Sequence, residues 1–203
     1  MANFRERCVF FELKRFIFGF LVVRLKIFEN SRKFLIEDLI KKMMRDYYSE
    51  LARGYDELYG NEQQEKLRVI KEKVSFSKKQ MILDVGCGTG ISSALPGLII
   101  GIDPSLGMLQ KNTNFKVKGK AESLPFKDSS FDVVLCLTVT HHFSPTKTAL
   151  IEVDRVGRGI FIFSILEKSK KYGAIKKAVS GLFVIKERFS LLNDVLFVCT
   201  KKT

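Results

Sequence analysis

Met81-Ile82-Leu83-Asp84-Val85 is an apolar run carrying one acid, and it opens into Gly86-Cys87-Gly88-Thr89-Gly90, three glycines at alternate positions. Glycine lets the backbone turn tightly and places no Cβ between the main chain and a ligand, so the loop is suited to close packing against a bound group. Two familiar glycine loops are excluded by spacing. The G-x-x-x-x-G-K-[ST] pattern needs a lysine that is absent, and G-x-G-x-x-G needs a glycine at 91, where Ile91 stands. Asp103 closes a second apolar run, Leu98 to Ile102, 17 residues beyond Gly86. In α/β sheets an acid at the end of the second strand accepts both hydroxyls of a ribose lying over the first glycine loop, so the pair predicts an adenosine-type ligand. His141 and His142 are the only histidines, and they follow a later apolar run. Their place at a strand's carboxyl edge makes them candidates to deprotonate an acceptor, with His141 as the candidate catalytic residue.

These residues need a sheet to hold them. Phe115 to Lys118 reads as a third strand. Phe131 to Thr138 reads as a fourth, almost continuously apolar, as expected for a strand buried on both faces of a parallel sheet. His142 to Val156 suits a helix, Gly159 to Ile165 a fifth strand, and Lys168 to Val179 a basic amphipathic helix. Leu182 to Arg188 and Asp194 to Lys201 read as a terminal strand pair turning at Leu191 to Asp194. Only Ile91 to Gly97 separates Gly90 from the second strand, so the first crossover helix must be a stub. Upstream, Asn30 or Ser31 caps a helix reaching about Tyr48, and a second helical stretch, Tyr48 to Tyr59, is interrupted at Gly54. Asn61 to Gln64 resembles a capping box that starts a further helix with Leu67, Ile70 and Val74 on one face.

The chain has 203 residues, 46% hydrophobic and 28% charged, a balance that excludes wholesale disorder and permits one main core. Cys8, Cys87, Cys136 and Cys199 are scattered, so neither a zinc site nor a disulfide framework is readable, and reduced thiols in a cytoplasmic protein are expected. The net charge is +13, of which residues 1–45 carry +6. The longest uncharged run there, Phe16 to Val23, is too short to span a bilayer, although a basic amphipathic segment could touch an anionic membrane surface. We therefore divide the chain into a basic, aromatic-rich extension, 1–43, and a main domain, 44–203. Met43 and Met44 offer an alternative translation start that would make the extension an over-read frame.

LDVGCGTG (83–90), GIDPSLGML (101–109), GKAESLPF (119–126) and SFDVVLCLTVTHHF (130–143) occur in that order. On these segments the chain resembles a class I S-adenosylmethionine-dependent methyltransferase, over roughly residues 44 to 203. The resemblance implies a Rossmann-like α/β fold: a seven-stranded, mostly parallel sheet with its last strand antiparallel, helices on both faces, and a helical N-terminal extension. It implies S-adenosylmethionine as cofactor, with Gly86, Gly88 and Gly90 along its methionine and ribose parts, Asp84 near its amino group and Asp103 on the ribose. Ala121 and Glu122 fall at the adenine, Leu137 and Thr138 beside the methionine part, and Tyr55 and Tyr59 where N-terminal helices cap the cofactor. Lys120 stands where the family often has an acid, which leaves Glu122 or backbone carbonyls for the adenine amine.

Methyl transfer needs a nucleophile held in line, about 3 Å from the methyl carbon, and requires no metal. Enzymes of this superfamily that methylate base amines carry an Asn/Asp-Pro-Pro-aromatic turn, and here that turn reads Leu137-Thr138-Val139-Thr140. The leading expectation is therefore a small-molecule or lipid-like acceptor. The alternatives are an RNA or protein methyltransferase that uses the basic surface, and a cofactor-binding, non-catalytic regulatory subunit.

Overall fold

The computed structural model describes Met43, residues 47–52 and residues 54–202. The expected extension, its basic cluster and most of the helix expected from Asn30 lie outside the described residues; residues 47–51 are helical. Helix α1 (Tyr55–Lys73) is followed by β1 (Met81–Val85), a 3-10 turn (Ile91–Ala94), β2 (Leu98–Asp103), α2 (Leu106–Lys111), β3 (Phe115–Lys118) and β4 (Phe131–Leu137). A second 3-10 turn (Thr140–His142) leads to α3 (Thr146–Val156), β5 (Gly157–Leu166), α4 (Tyr172–Leu182), β6 (Phe183–Leu191) and β7 (Asp194–Lys201). The strands form one sheet in the order β3-β2-β1-β4-β5-β7-β6, with β7 antiparallel to both of its neighbours.

The pleat explains how one apolar run fills two cores. Ile82, Val133, Leu135, Ile162 and Leu196 point to one face, where Leu67 and Ile70 of α1 and its C-cap Val74 cover them. Leu83, Val134, Phe161, Phe163 and Phe197 point to the other, against Ala149, Leu150 and Val153 of α3 and Ile175 and Val179 of α4. Each such side chain contributes about 1.5–3 kcal/mol by leaving water. The phenylalanines belong chiefly to this packing: Phe183 lies 4.7 Å from Phe161 and 5.1 Å from Phe163, ring centre to ring centre.

Three local expectations change. No helix begins at Asn61, because α1 starts at Tyr55 with Gly54 as its N-cap and runs straight through the would-be capping box. Glu62, assigned there to an N-terminal turn, instead pairs with Lys66 one turn along the helix. The helix after β4 starts at Thr146, beyond the 3-10 turn and Pro145. The basic helix after β5 starts at Tyr172, with Lys168 to Lys171 in the preceding turns. The first crossover is indeed a stub of a single 3-10 turn, so α1 supplies the cover that a crossover helix would give.

Candidate functional site

The carboxyl ends of β1, β2 and β4 meet under the N-terminal half of α1. Gly86 and Cys87 both donate their N–H to the Ile102 carbonyl, at 2.8 and 3.2 Å, which ties the glycine loop to β2. Gly86 has φ +74°, and a Cβ there would fall 2.3 Å from Val139 Cγ2. The loop thus packs directly on the turn after β4, and only glycine permits it. Gly88 also has positive φ but faces open space, and Gly90 abuts Asn112. Asp103 reaches back across the gap: its Oδ2 accepts the Gly88 N–H at 3.0 Å and its Oδ1 the Ser105 N–H at 2.8 Å.

A small cleft, open at its mouth, lies over this loop. Asp84, Gly86, Cys87, Gly88, Thr89 and Ile91 form its floor, Leu137 one wall, and Tyr55, Asp56, Gly60 and Gln63 of α1 the roof. Thr89 donates its hydroxyl to Asp56 Oδ1 at 2.6 Å, which closes loop and roof at one end. Tyr55 packs on Tyr59, 5.1 Å between ring centres.

The electrostatics of the floor are unusual. Asp84 is 4% exposed and Asp103 9%, and neither forms an ion pair among the described residues. Burial pushes Asp84 up to about 6, against the pull of the Ser92 hydroxyl and helped by the charge of Asp103. Burial also raises Asp103, against the two backbone N–H groups that favour its charged form. Cys87 stays a thiol, pushed well up by burial and then by both carboxylates.

Of the residues expected from sequence, the cleft brings together Tyr55, Asp84, Gly86, Gly88 and Leu137, with Asp103 bonded to its rim. Gly90, Tyr59, Ala121, Glu122, Thr138 and His141 stand outside its lining. Glu122 Oε1 accepts the Ser144 N–H at 2.6 Å and so braces the turn after β4. Arg155 fastens the loop after Ala121 through the Leu124 and Phe126 carbonyls, at 3.0 and 2.8 Å. His141 stacks on His142, ring centres 3.9 Å apart, and its carbonyl accepts Lys171 Nζ at 2.9 Å. His142 Nε2 is hydrogen-bonded to the Tyr48 hydroxyl at 2.9 Å. Desolvation and the neighbouring His141 and Lys171 charges hold His142 below the ordinary imidazole range, although part of its ring stays exposed.

The sequence reading missed the roof residues Asp56, Gly60 and Gln63, and also Lys66. Extending the Leu67, Ile70, Val74 stripe back toward the N-terminus at the helical period reaches Gln63 and Gly60, the one signal that could have found them. Lys66 is fully buried, and its ammonium meets Glu62 Oε1 at 2.7 Å, Thr138 Oγ1 at 2.8 Å and Asp194 Oδ2 at 2.9 Å. Among the described residues no group of His, Cys, Asp and Glu side chains is placed to hold a metal ion, and no helix is long and apolar enough to cross a membrane.

Residues 83–163 match the family model described as a methyltransferase domain. An uncharacterized protein of Methanocaldococcus jannaschii is 34% identical over 152 residues, covering 70% of this chain and 59% of that protein, so the chain spans less than two thirds of that relative's length. A demethylmenaquinone methyltransferase of Renibacterium salmoninarum is 37% identical over 98 residues, 44% of this chain and 41% of that one. A Haloferax volcanii protein solved with the Trm112 methyltransferase activator superposes with a TM-score of 0.67 at 15% identity, over 77% of this chain and 98% of that one, which speaks to fold alone.

Proposed function

We propose that the chain carries a class I S-adenosylmethionine-dependent methyltransferase domain and moves the methyl group of that cofactor to a small-molecule or lipid-like acceptor by in-line displacement. The observation that carries the reading is the cleft floor, where a bare glycine loop lies beside the buried Asp84 and is bonded at its rim to the buried Asp103, neither carboxylate having a cationic partner among the described residues. Those residues fit the cofactor's charges. Asp84 suits its ammonium, which would lower the raised carboxyl, and Asp103 keeps lone pairs free for the two ribose hydroxyls. The open side of Gly88 admits the ligand backbone, and Tyr55 covers it from the roof.

When bound, S-adenosylmethionine supplies a methyl group activated by its positive sulfur. The protein's own task is then to hold an acceptor in line with that methyl and to exclude water. Leu137 gives the wall an apolar surface, and Tyr48 and His142 offer a neutral hydrogen-bonding pair beyond it. That pair suits an acceptor whose proton leaves with modest assistance. The quinone-type acceptor named for the Renibacterium relative supports an uncharged, apolar class over a polyanion.

Titration calorimetry with S-adenosylmethionine tests the reading. Binding is expected, and Asp103→Ala should weaken it at least tenfold, as lost charge-assisted contacts do, by about 1.4 kcal/mol or more. No binding at millimolar cofactor would refute the reading. Transfer of labelled methyl groups into the organic-soluble fraction of cell extract would identify the acceptor class, whereas label appearing only in RNA or protein would overturn the small-molecule assignment.

A further inference from the structure

Lys66 is among the largest fully buried side chains in the protein, and it is charged. Its ammonium has three donors, and each has an acceptor: Glu62, Thr138 and Asp194. Thr138 and Ser164 both donate their hydroxyls to the same Asp194 oxygen. One side chain of α1 is thereby tied to the tips of β4 and β5 and to the start of β7, all at the carboxyl edge of the sheet.

Fold stability is a weak reason for this arrangement, since a buried ion pair can often be replaced by apolar residues of similar size without loss. The other oxygen of Asp194 is buried with no hydrogen-bond partner among the described residues, so the network is not optimised for stability either. Its members do flank the cleft on two sides. Lys66 lies one turn beyond the roof residue Gln63, and Thr138 directly follows the wall residue Leu137. Thr138 holds φ +53°, a left-handed conformation unusual for a β-branched residue, and the next residue, Val139, is the one packed on Gly86. Roof, wall and glycine loop therefore all connect to the ammonium of Lys66.

We infer that Lys66 is a positioning residue that fastens α1 to the carboxyl edge of β4, β5 and β7, and so sets the separation of Gln63 and Leu137 across the cofactor cleft. The inference rests on the cofactor reading above, but its mechanical half does not depend on it. If it holds, loosening the network leaves the cores intact and opens the roof.

The test compares the wild type with Lys66→Met/Asp194→Leu, which removes both buried charges, and with Thr138→Val, which removes only the bridging hydroxyl. Amide hydrogen exchange, thermal melting and S-adenosylmethionine calorimetry are read on each full chain. In the double variant, exchange over residues 55–63 and 86–89 should rise at least tenfold while the amides of β5 and α3 stay protected, and cofactor affinity should fall at least tenfold. Thr138→Val should move the same quantities about threefold, and it decides the matter should the double variant fail to fold. Unchanged exchange at 55–63 and 86–89 in a folded variant overturns the proposal, as does general loss of protection across β5 and α3, which would show a merely structural role. A wild type that does not bind the cofactor refutes the cofactor reading alone, and the exchange result still decides this one.

Discussion

Buried carboxylates at two places in the protein are treated in opposite ways. Under α1, the buried Asp194 meets the ammonium of Lys66 and two hydroxyls, and the part-exposed Glu62 shares that ammonium. At the glycine loop, Asp84 and Asp103 are almost as deeply buried but have no cationic partner among the described residues, and burial raises both. Burying a charge costs several kcal/mol unless something compensates it. The first group carries its compensation within the fold; the second leaves it to be brought from outside. A buried carboxylate that meets a cation within the fold holds structure, and one of similar depth without a cation is where a cationic, hydroxyl-rich ligand gains most.

The contrast can be broken at either end. The largest effect is expected from Lys66→Met alone, which leaves Asp194 buried without its cation and should cost about 3–5 kcal/mol in chemical denaturation at pH 7. A cost below about 1 kcal/mol would show that the two groups do not differ as described. Gly86→Ala should cost about 2–3 kcal/mol, because it adds left-handed strain to an overlap with Val139. Its midpoint shift in urea measures that.

Asp84 sharpens the contrast with a change of sign. Its folded-state carboxyl, at about 6, lies above the ordinary value of 3.8, so the folded state holds the proton longer than the unfolded one. The ligand-free protein should therefore lose stability as pH rises from about 4 to about 6 and level off above, by about 1–3 kcal/mol. Asp84→Asn should flatten that slope and stabilise the ligand-free protein at pH 7 while weakening the cofactor. For the wild type, cofactor affinity should be higher at pH 7.5 than at pH 5.5, with proton release visible as a buffer-dependent binding heat. The smallest effect is expected from Tyr48→Phe, which removes one hydrogen bond to a part-exposed histidine and should cost about 0.5–1 kcal/mol on thermal melting.

What could be read from the residues followed from how local each signal is. The glycine loop, Asp103 and the strand pair ending at Lys201 are written in short contiguous runs, and the structure has the loop, the acid and the strands where those runs put them. The start of α1 was misplaced because Asn61 to Gln64 has a capping pattern, while the reason to continue through Gly60 is tertiary: Gly60 and Gln63 roof the cleft. Nothing near Lys66 announces Asp194, Ser164 or Thr138, since the four converge only when β4, β5 and β7 are laid side by side. Glu122 could be assigned to a ligand from its neighbours in sequence, but not to the Ser144 N–H that it meets in space.

The single 3-10 turn between β1 and β2 also bears on how the chain reaches this state. Residues 86–97 are close to the shortest link that can join parallel neighbours, for which a dozen or more residues are usual. Of the parallel pairs in the sheet, only β2 with β3, linked by residues 104–114, asks less loop-closure entropy of the forming chain than β1 with β2. The glycine loop is that link, so the segment proposed to meet the cofactor is also one placed to form early on the folding pathway. Conservative truncations at Ile82 and Ile99 should slow refolding, while those at Val198 on the late-arriving β7 should mainly speed unfolding.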